Sequence, residues 1–424
     1  MRRRCGVDLL RTMPGSVATT RVRRRANGRP PEHWMNHAQA QPLNPTLTLR
    51  QASGIAWEAI VVGAGPAGSV AAFRLARLGL TTLLVDRVTL PRAKVCGCCL
   101  APRGVQALKA LGLSGALDGA EALSSLRLIA GRRSASIATP EHVSISRELL
   151  DARLASCARD AGAALLWPAS ARVTPGGRVK LTQGTEEADL SALVVVVADG
   201  LGGGAMVDAA GAAWNINPRS RMGAGALLEA APMDIDRGEV VMFSERDGYL
   251  GLVGLADGRF DAAAAFDPGA VRVVGGPGNL AADFLDRAGG DGQIARAAHW
   301  KATPLLTRRR TAVEVGSVVL IGDASGYVEP FTGEGITWAI ETGAEAATHA
   351  AAFARGTAQP GQWTRAHARL MDARHQRCSL IAAALRRPTV VRLAQWAMQV
   401  SPGITGALVE RIGAPSRAAT VASA

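Results

Sequence analysis

The residues whose spacing carries the most chemistry lie near the front of the chain, Gly63-Ala64-Gly65-Pro66-Ala67-Gly68. The pattern G-x-G-x-x-G suits a phosphate cradle for three separate reasons. Gly63 permits a tight turn out of a strand, Gly65 keeps a Cβ out of the space a pyrophosphate needs, and Gly68 lets a helix lie close to a sheet. The helix start at Pro66 and Ala67 then offers free N–H groups to phosphate oxygens. Alone the run is weak, since an ordinary turn can carry it. Its neighbours decide: an apolar strand over 59–62, helical apolar spacing over 66–78 and a second apolar strand over 81–85. Asp86 closes that second strand, where a carboxylate can accept from a ribose hydroxyl. A dinucleotide is the expected ligand, and at this point FAD and NAD fit equally.

A second string decides between them. Residues 318–321 form a buried apolar strand that runs into Gly322-Asp323-Ala324-Ser325-Gly326. Pro330-Phe331-Thr332-Gly333-Glu334-Gly335-Ile336 and a helical stretch follow. Asp323 at the strand exit can bond a sugar-alcohol hydroxyl such as ribityl. Gly333 and Gly335 let the helix start approach a flat ring, and the helix dipole favours negative charge near N1 and C2=O of a reduced flavin. The ligand is therefore expected to be FAD.

At these strings the sequence resembles the single-Rossmann flavoproteins of the para-hydroxybenzoate hydroxylase-like superfamily. Within it the likeness is to the geranylgeranyl reductase-like oxidoreductases. It extends over about 57–350, through Pro91-Arg92-x-Lys94-x-Cys96-Gly97, Ser146-Arg147-x-x-x-x-Asp151-x-x-Leu154 and Asp199-Gly200. The resemblance implies that Arg147 contacts FAD and that Cys96 and Gly97 lie beside the isoalloxazine. It also implies that Asp199 and Gly200 lie near the pyrophosphate and the nicotinamide donor. With Arg87 and Arg92 beside Asp86, the expected cofactor set is Gly63, Gly65, Pro66, Ala67, Gly68, Asp86, Arg87, Arg92, Cys96, Gly97, Arg147, Asp199, Gly200, Gly322, Asp323, Gly333, Gly335 and Ile336.

Cys96-Gly97-Cys98-Cys99 invites a metal reading, but zinc and iron–sulfur sites want four ligands, usually as separated pairs, and Cys157 and Cys378 supply no second pair. No metal is expected. The cluster reads first as small residues lining a flavin-facing loop, with a redox-active thiol at Cys96 as the alternative. Tyr249 lies in Gly248-Tyr249-Leu250-Gly251-Leu252-Val253-Gly254-Leu255. That stretch aligns with the prenyl-lipid reductase string Tyr-x-Trp then Phe-Pro. Gly251 stands where the Trp belongs, and Val253-Gly254 replace Phe-Pro. Tyr249 reads as a core residue, with proton donation as the alternative, so the catalytic candidates are Tyr249 and Cys96.

The expected activity is FAD-dependent reduction of double bonds in a hydrophobic isoprenoid- or polyketide-like metabolite. An FAD-dependent monooxygenase acting on an aromatic or polyketide substrate uses the same cradle, so the motifs do not separate the two. Flavin-dependent halogenation is weakened by the absence of Trp-x-Trp-x-Ile-Pro, and a non-catalytic electron relay stands last. Only one G-x-G-x-x-G exists, so NAD(P)H visiting the cleft or a small redox protein is the expected donor.

The elements that must position these residues form an α/β chain with a single Rossmann-type FAD-binding domain, an inserted mixed-sheet substrate domain and C-terminal helices. The FAD domain is expected to be discontinuous, from 55–100, 146–205 and 312–355. Segments 101–145 and 206–311 form the substrate domain, and 356–424 a helical region. The tract 362–412 mixes Arg with Leu, Val, Ala and Trp396; it is expected to pack on the FAD domain, with an amphipathic cover touching membrane as the alternative. Residues 1–54, rich in Arg, Pro, Asn and Gln, read as a disordered extension, with Met35 as an alternative initiator. The net charge of +13 would suggest nucleic acid, but residues 1–34 hold nine arginines against two acids and contribute about half of it. No basic patch interleaved with aromatics follows, so nucleic-acid binding is not expected. No apolar run reaches the roughly 20 residues of a membrane span, and no signal-peptide core follows Arg2–Arg4, so a cytoplasmic location is expected.

Overall fold

The computed structural model describes residues 40–400 except 132, 175, 207–211, 330 and 332. Thus 1–39 and 401–424, with the expectations that fall on them, lie outside the described residues, as do Pro330 and Thr332 of the second string.

Strand Trp57–Val62, helix Pro66–Arg77 and strand Thr82–Val85 form the β-turn-α-β unit. Gly65, with extended backbone, precedes the helix and Pro66 fills its first turn, where a missing N–H costs nothing. The central sheet runs in the order Glu314–Val315, Val318–Leu320, Glu186–Val197, Trp57–Val62, Thr82–Val85, Ala164–Leu166. All neighbours but the first pair are parallel. Buried on both faces, such strands read as continuous apolar runs: Ile60, Val61, Leu83, Leu84 and the four valines from 194 to 197 are all fully buried. Each contributes roughly 1.5–3 kcal/mol from burial. Helix Gly335–Ala354 crosses helix Pro66–Arg77 at backbone contact, since a Cβ on Gly343 would stand 2.3 Å from the Ala67 carbonyl oxygen.

The second sheet is mixed, in the order Lys301–Leu305, Met222–Leu228, Phe260–Phe266, Gly248–Gly254, Glu239–Glu245, Glu121–Ala130, Arg133–Ser144, Cys99–Leu100. Only the pairing of Glu239–Glu245 with Glu121–Ala130 is parallel. Its strands have two faces of different use. Leu250, Leu252, Phe260, Ala262 and Phe266 pack with Phe284 and Leu285 of helix Pro277–Arg287. Tyr249, Gly251, Val253, Ala263 and Ala265 line a cavity on the other face. This is the period-2 alternation of a strand.

Two expectations are corrected. Residues 40–54 are not disordered. Leu43 pairs with Leu90, and helix Leu49–Ser53 starts with a capping box in which Thr48 and Gln51 bond reciprocally, burying Leu49 and Ala52. The FAD-domain limit at 100 is also displaced, because Cys99–Leu100 pairs with Arg133–Ser144 and so belongs to the mixed sheet. The segments expected as the mixed-sheet substrate domain also carry helices Pro102–Ala110, Pro268–Val273, Pro277–Arg287 and Gly292–Ala297. Helices Gln362–Leu385 and Pro388–Val400 close the described chain.

Candidate functional site

One cavity of about 1700 Å³ lies between the two large sheets. A single small-molecule site usually occupies roughly 300–1,000 Å³, so an extended cofactor and a substrate fit together. All but two of the residues expected to bind the cofactor line it: Gly63, Gly65, Pro66, Ala67, Asp86, Arg87, Arg92, Cys96, Gly97, Arg147, Asp199, Gly200, Asp323, Gly333, Gly335 and Ile336. The exceptions act by packing. A Cβ on Gly68 would sit 1.8 Å from the Gly63 carbonyl oxygen, and one on Gly322, whose φ is +55°, 2.9 Å from the Ala67 Cβ.

The cradle fits FAD on its own geometry. Gly65 has open space on its cavity side, with Arg147 Nη2 at 3.7 Å the one atom that a Cβ there would meet. Helices Pro66–Arg77 and Gly335–Ala354 both start at the cavity, and neither N-cap side chain, Glu334 of the second included, bonds the N–H groups of its first turn, so these are left for a ligand. Asp86 is buried and braces the cradle: one oxygen accepts from Ala64 N–H at 2.7 Å and from Arg92 at 2.7 Å, the other from Val88 N–H at 3.0 Å. Asp199 accepts from Ala205 N–H at 2.8 Å through one oxygen, while its other oxygen is buried without a hydrogen-bond partner among the described residues. Burial raises the Asp199 and Asp323 carboxyl pKa values, opposed at Asp199 by the Ala205 N–H and then Arg310, and at Asp323 by Lys94. Buried acceptors of this kind need a donor from a ligand or water.

Arg147 is the charge centre of the wall. Ser146 caps its helix by accepting from Leu149 N–H. One turn on, Asp151 holds the guanidinium in a two-pronged pair, Nε to Oδ1 and Nη2 to Oδ2, both 2.8 Å. Burial disfavours the Arg147 charge, but Asp151 and Cys96 outweigh it and the pKa rises. On the other side, the Cys98 thiol bonds the Cys96 sulfur and Arg147 lends its charge, so that, against the effect of burial, the Cys96 thiol comes down to about 6. Cys98, at φ +50°, and Cys99 are pushed the other way, Cys98 by its bond to Cys96 and then by burial, Cys99 by burial. Behind them Asp261, on the cavity face of its strand, has a raised pKa from burial and one oxygen without a hydrogen-bond partner among the described residues. Cys96 is thus the first of the three thiols to ionise. Iodoacetamide labelling followed by peptide mass spectrometry should modify Cys96 ahead of Cys98 and Cys99, with a rate midpoint near pH 6. A midpoint in the ordinary thiol range of about 8–9 would exclude this state.

The far half of the cavity is apolar, lined by Leu126, Leu128, Ile137, Met242, Leu306 and Met398. A Cβ on Gly251 would lie 2.9 Å from the Met242 sulfur, so the side chain of a neighbouring strand fills part of the room an aromatic residue would need. Tyr249 stands in this half, edge-on to Phe331 with ring centres 5.1 Å apart. Its hydroxyl lies within bonding reach of the Glu329 carboxylate, and the Arg221 guanidinium packs over its ring 5.5 Å from the centroid. Arg221 bonds Glu329 at 3.1 Å, both being about 98 % buried. Burial, then Glu329, raises the Tyr249 pKa, so the phenol keeps its proton. Burial likewise raises Glu329, with Arg221 opposing.

Sequence reasoning missed Asp261, Glu329 and Arg221. An acid inside the Phe- and Ala-rich strand Phe260–Phe266 was the one local signal for Asp261. Lys94 was quoted within a motif but assigned no role. It is half-buried near Gly200, and burial followed by Arg147 lowers its pKa.

A protein-family profile described as "FAD binding domain" matches residues 56–209. The chain is 30 % identical over 318 residues to the menaquinone reductase of Mycobacterium tuberculosis, covering 68 % of this chain and 75 % of the relative. Among solved structures, a flavin-dependent brominase superposes with a TM-score of 0.71 at 16 % identity, covering 85 % of this chain and 94 % of the other. A geranylgeranyl bacteriochlorophyll reductase-like protein from Thermoplasma acidophilum superposes with a TM-score of 0.66 at 19 % identity, over 84 % of this chain and 95 % of the other. At these identities the structural likenesses carry the fold alone.

Proposed function

Since the chain belongs to the family of FAD-dependent oxidoreductases that includes the mycobacterial menaquinone reductases, we propose that it reduces a double bond of a hydrophobic isoprenoid substrate, a menaquinone-type lipid being the first to test. The observation that carries the proposal is the continuity of one cavity from a dinucleotide cradle into an apolar compartment holding a protonated tyrosine. When bound, FAD supplies the hydride equivalent. The chain supplies the rest. Gly63, Gly65, Asp86, Arg147 and Asp199 bind and orient the cofactor, and Leu126, Leu128, Ile137 and Met398 exclude water from the chain of the substrate. Tyr249 holds the proton that completes the reduction, with Glu329 facing its hydroxyl and Arg221 packed over its ring and paired with Glu329. Gly251 leaves the lining narrower in aromatic surface than the prenyl-lipid reductase string, which favours a substrate gripped by aliphatic side chains. The electron donor is NAD(P)H entering the same cleft or a small redox protein.

The experiment is an anaerobic turnover of reduced holoenzyme with menaquinone and geranylgeranyl lipids, read by mass spectrometry. Gain of two hydrogens in the prenyl chain of either lipid, retained after air reoxidises any quinol to quinone, is the expected result. Gain of one oxygen under air, with no anaerobic product, would replace the reductase by a monooxygenase.

A further inference from the structure

The apolar end of the cavity is bordered by the C-terminal helices, through Ile381, Leu385, Ala394 and Met398. The outer face of the same helices is the unusual surface of the molecule. Leu380, Leu393, Trp396 and Val400 are 67, 62, 58 and 60 % exposed. A helix packed on a sheet through one face ordinarily turns a polar face to water. Helix Pro388–Val400 buries Val391, Gln395 and Met398 against the mixed sheet, with the Gln395 amide donating to the carbonyls of Leu128 at 3.3 Å and Arg133 at 3.0 Å. Its opposite side presents Leu393, Trp396 and Val400, spaced as successive turns. Contiguous exposed apolar surface of this kind marks an interaction site.

The charge beside that row chooses the occupant. From 373 to 409 the sequence holds no acid, and Arg386, Arg387 and Arg392 are exposed next to the apolar residues. A second copy of the chain would bring these arginines against their own counterparts, which repel. An anionic phospholipid surface meets both features at once, because arginines pair with phosphates while Leu393, Trp396 and Val400 enter the acyl boundary. We infer that helix Pro388–Val400, with the arginine-bearing joint before it, docks on an anionic bilayer, so that a lipid enters the cavity between Ile381, Leu385 and Met398 without crossing water. The inference rests on the surface and the cavity lining and does not depend on the reaction assigned above.

The test is co-sedimentation of the full-length, flavin-loaded protein with vesicles of phosphatidylcholine, with and without about 30 % phosphatidylglycerol. The parent is expected to bind the anionic vesicles and to lose binding as salt rises. Leu393→Ser with Trp396→Ser should weaken it roughly tenfold or more. Arg386→Gln, Arg387→Gln and Arg392→Gln together should remove the preference for anionic lipid, at about fivefold per arginine. Flavin content verifies that each variant is folded. If the serine variant loses its flavin, quenching of tryptophan emission by brominated lipid in the parent, absent in Trp396→Phe, supports the docking, and no quenching in the parent overturns it. Failure of the parent to bind anionic vesicles at low salt overturns the inference. So does parent-like binding by the serine variant, or a dimer in the absence of lipid that the serine variant converts to a monomer.

Discussion

Gly65→Ala should yield a folded protein that has lost its flavin. The position has extended backbone at φ −83°, which alanine adopts without strain, and the added Cβ would meet a single atom, Arg147 Nη2, at an ordinary contact distance of 3.7 Å. The change at a helix cap costs about 1 kcal/mol or less in the apoprotein. The same Cβ occupies the space in front of the helix end where a pyrophosphate must come close. Affinity for FAD should therefore fall on the order of 100-fold, about 3 kcal/mol, measured by flavin fluorescence titration of apoprotein. Gly68→Ala provides the contrast. Its Cβ would lie 1.8 Å from a backbone oxygen, so helix and sheet must part, at roughly 3 kcal/mol or more of thermal stability. Wild-type flavin affinity in Gly65→Ala would remove the cradle from this account.

Tyr249→Phe should keep its flavin and lose turnover. The ring contacts with Phe331 and Arg221 survive the change, while the proton-bearing oxygen is removed. A positioned proton donor contributes about 10²–10⁴-fold, and kcat should fall within that range with little change in KM. Glu329→Gln separates chemistry from packing. Burial places the Glu329 pKa above the ordinary carboxylate value, so as pH falls through that raised value the carboxylate takes a proton and loses the charge that faces Tyr249 and Arg221. Activity should decline on that acid limb in the parent. In Glu329→Gln the limb should be absent, because an amide does not titrate. Tyr249→Phe with undiminished kcat makes Tyr249 a core residue and nothing more.

The parts of the site that sequence alone made legible are those encoded by backbone geometry. A glycine that must turn, as Gly63 does at φ +107°, or one that must admit a neighbouring backbone, as Gly68 does, leaves a spacing that can be read without a structure. Continuous valines gave away a doubly buried strand for the same reason. The contacts that stayed hidden join distant residues on separate elements. Arg221 and Glu329 are 108 positions apart, and neither neighbourhood hints at the other. Asp261 meets Cys98, 163 positions away, only because both lie by the same mixed sheet. The stretch from 40 to 54 escaped notice because Leu43, Leu49 and Ala52 are too few for a period to show, although the Thr48–Gln51 capping pair marked the helix start.

The backbone contact at Gly343 has a consequence for how a long ligand is held. With no side chain between them, helices Pro66–Arg77 and Gly335–Ala354 keep a fixed spacing, and each presents one end to the cavity. An adenylate fragment and a riboflavin fragment, offered separately, meet anchor points whose separation is already set. The intact molecule joining them gains a chelate advantage, since its second half binds at a high effective concentration once the first is seated.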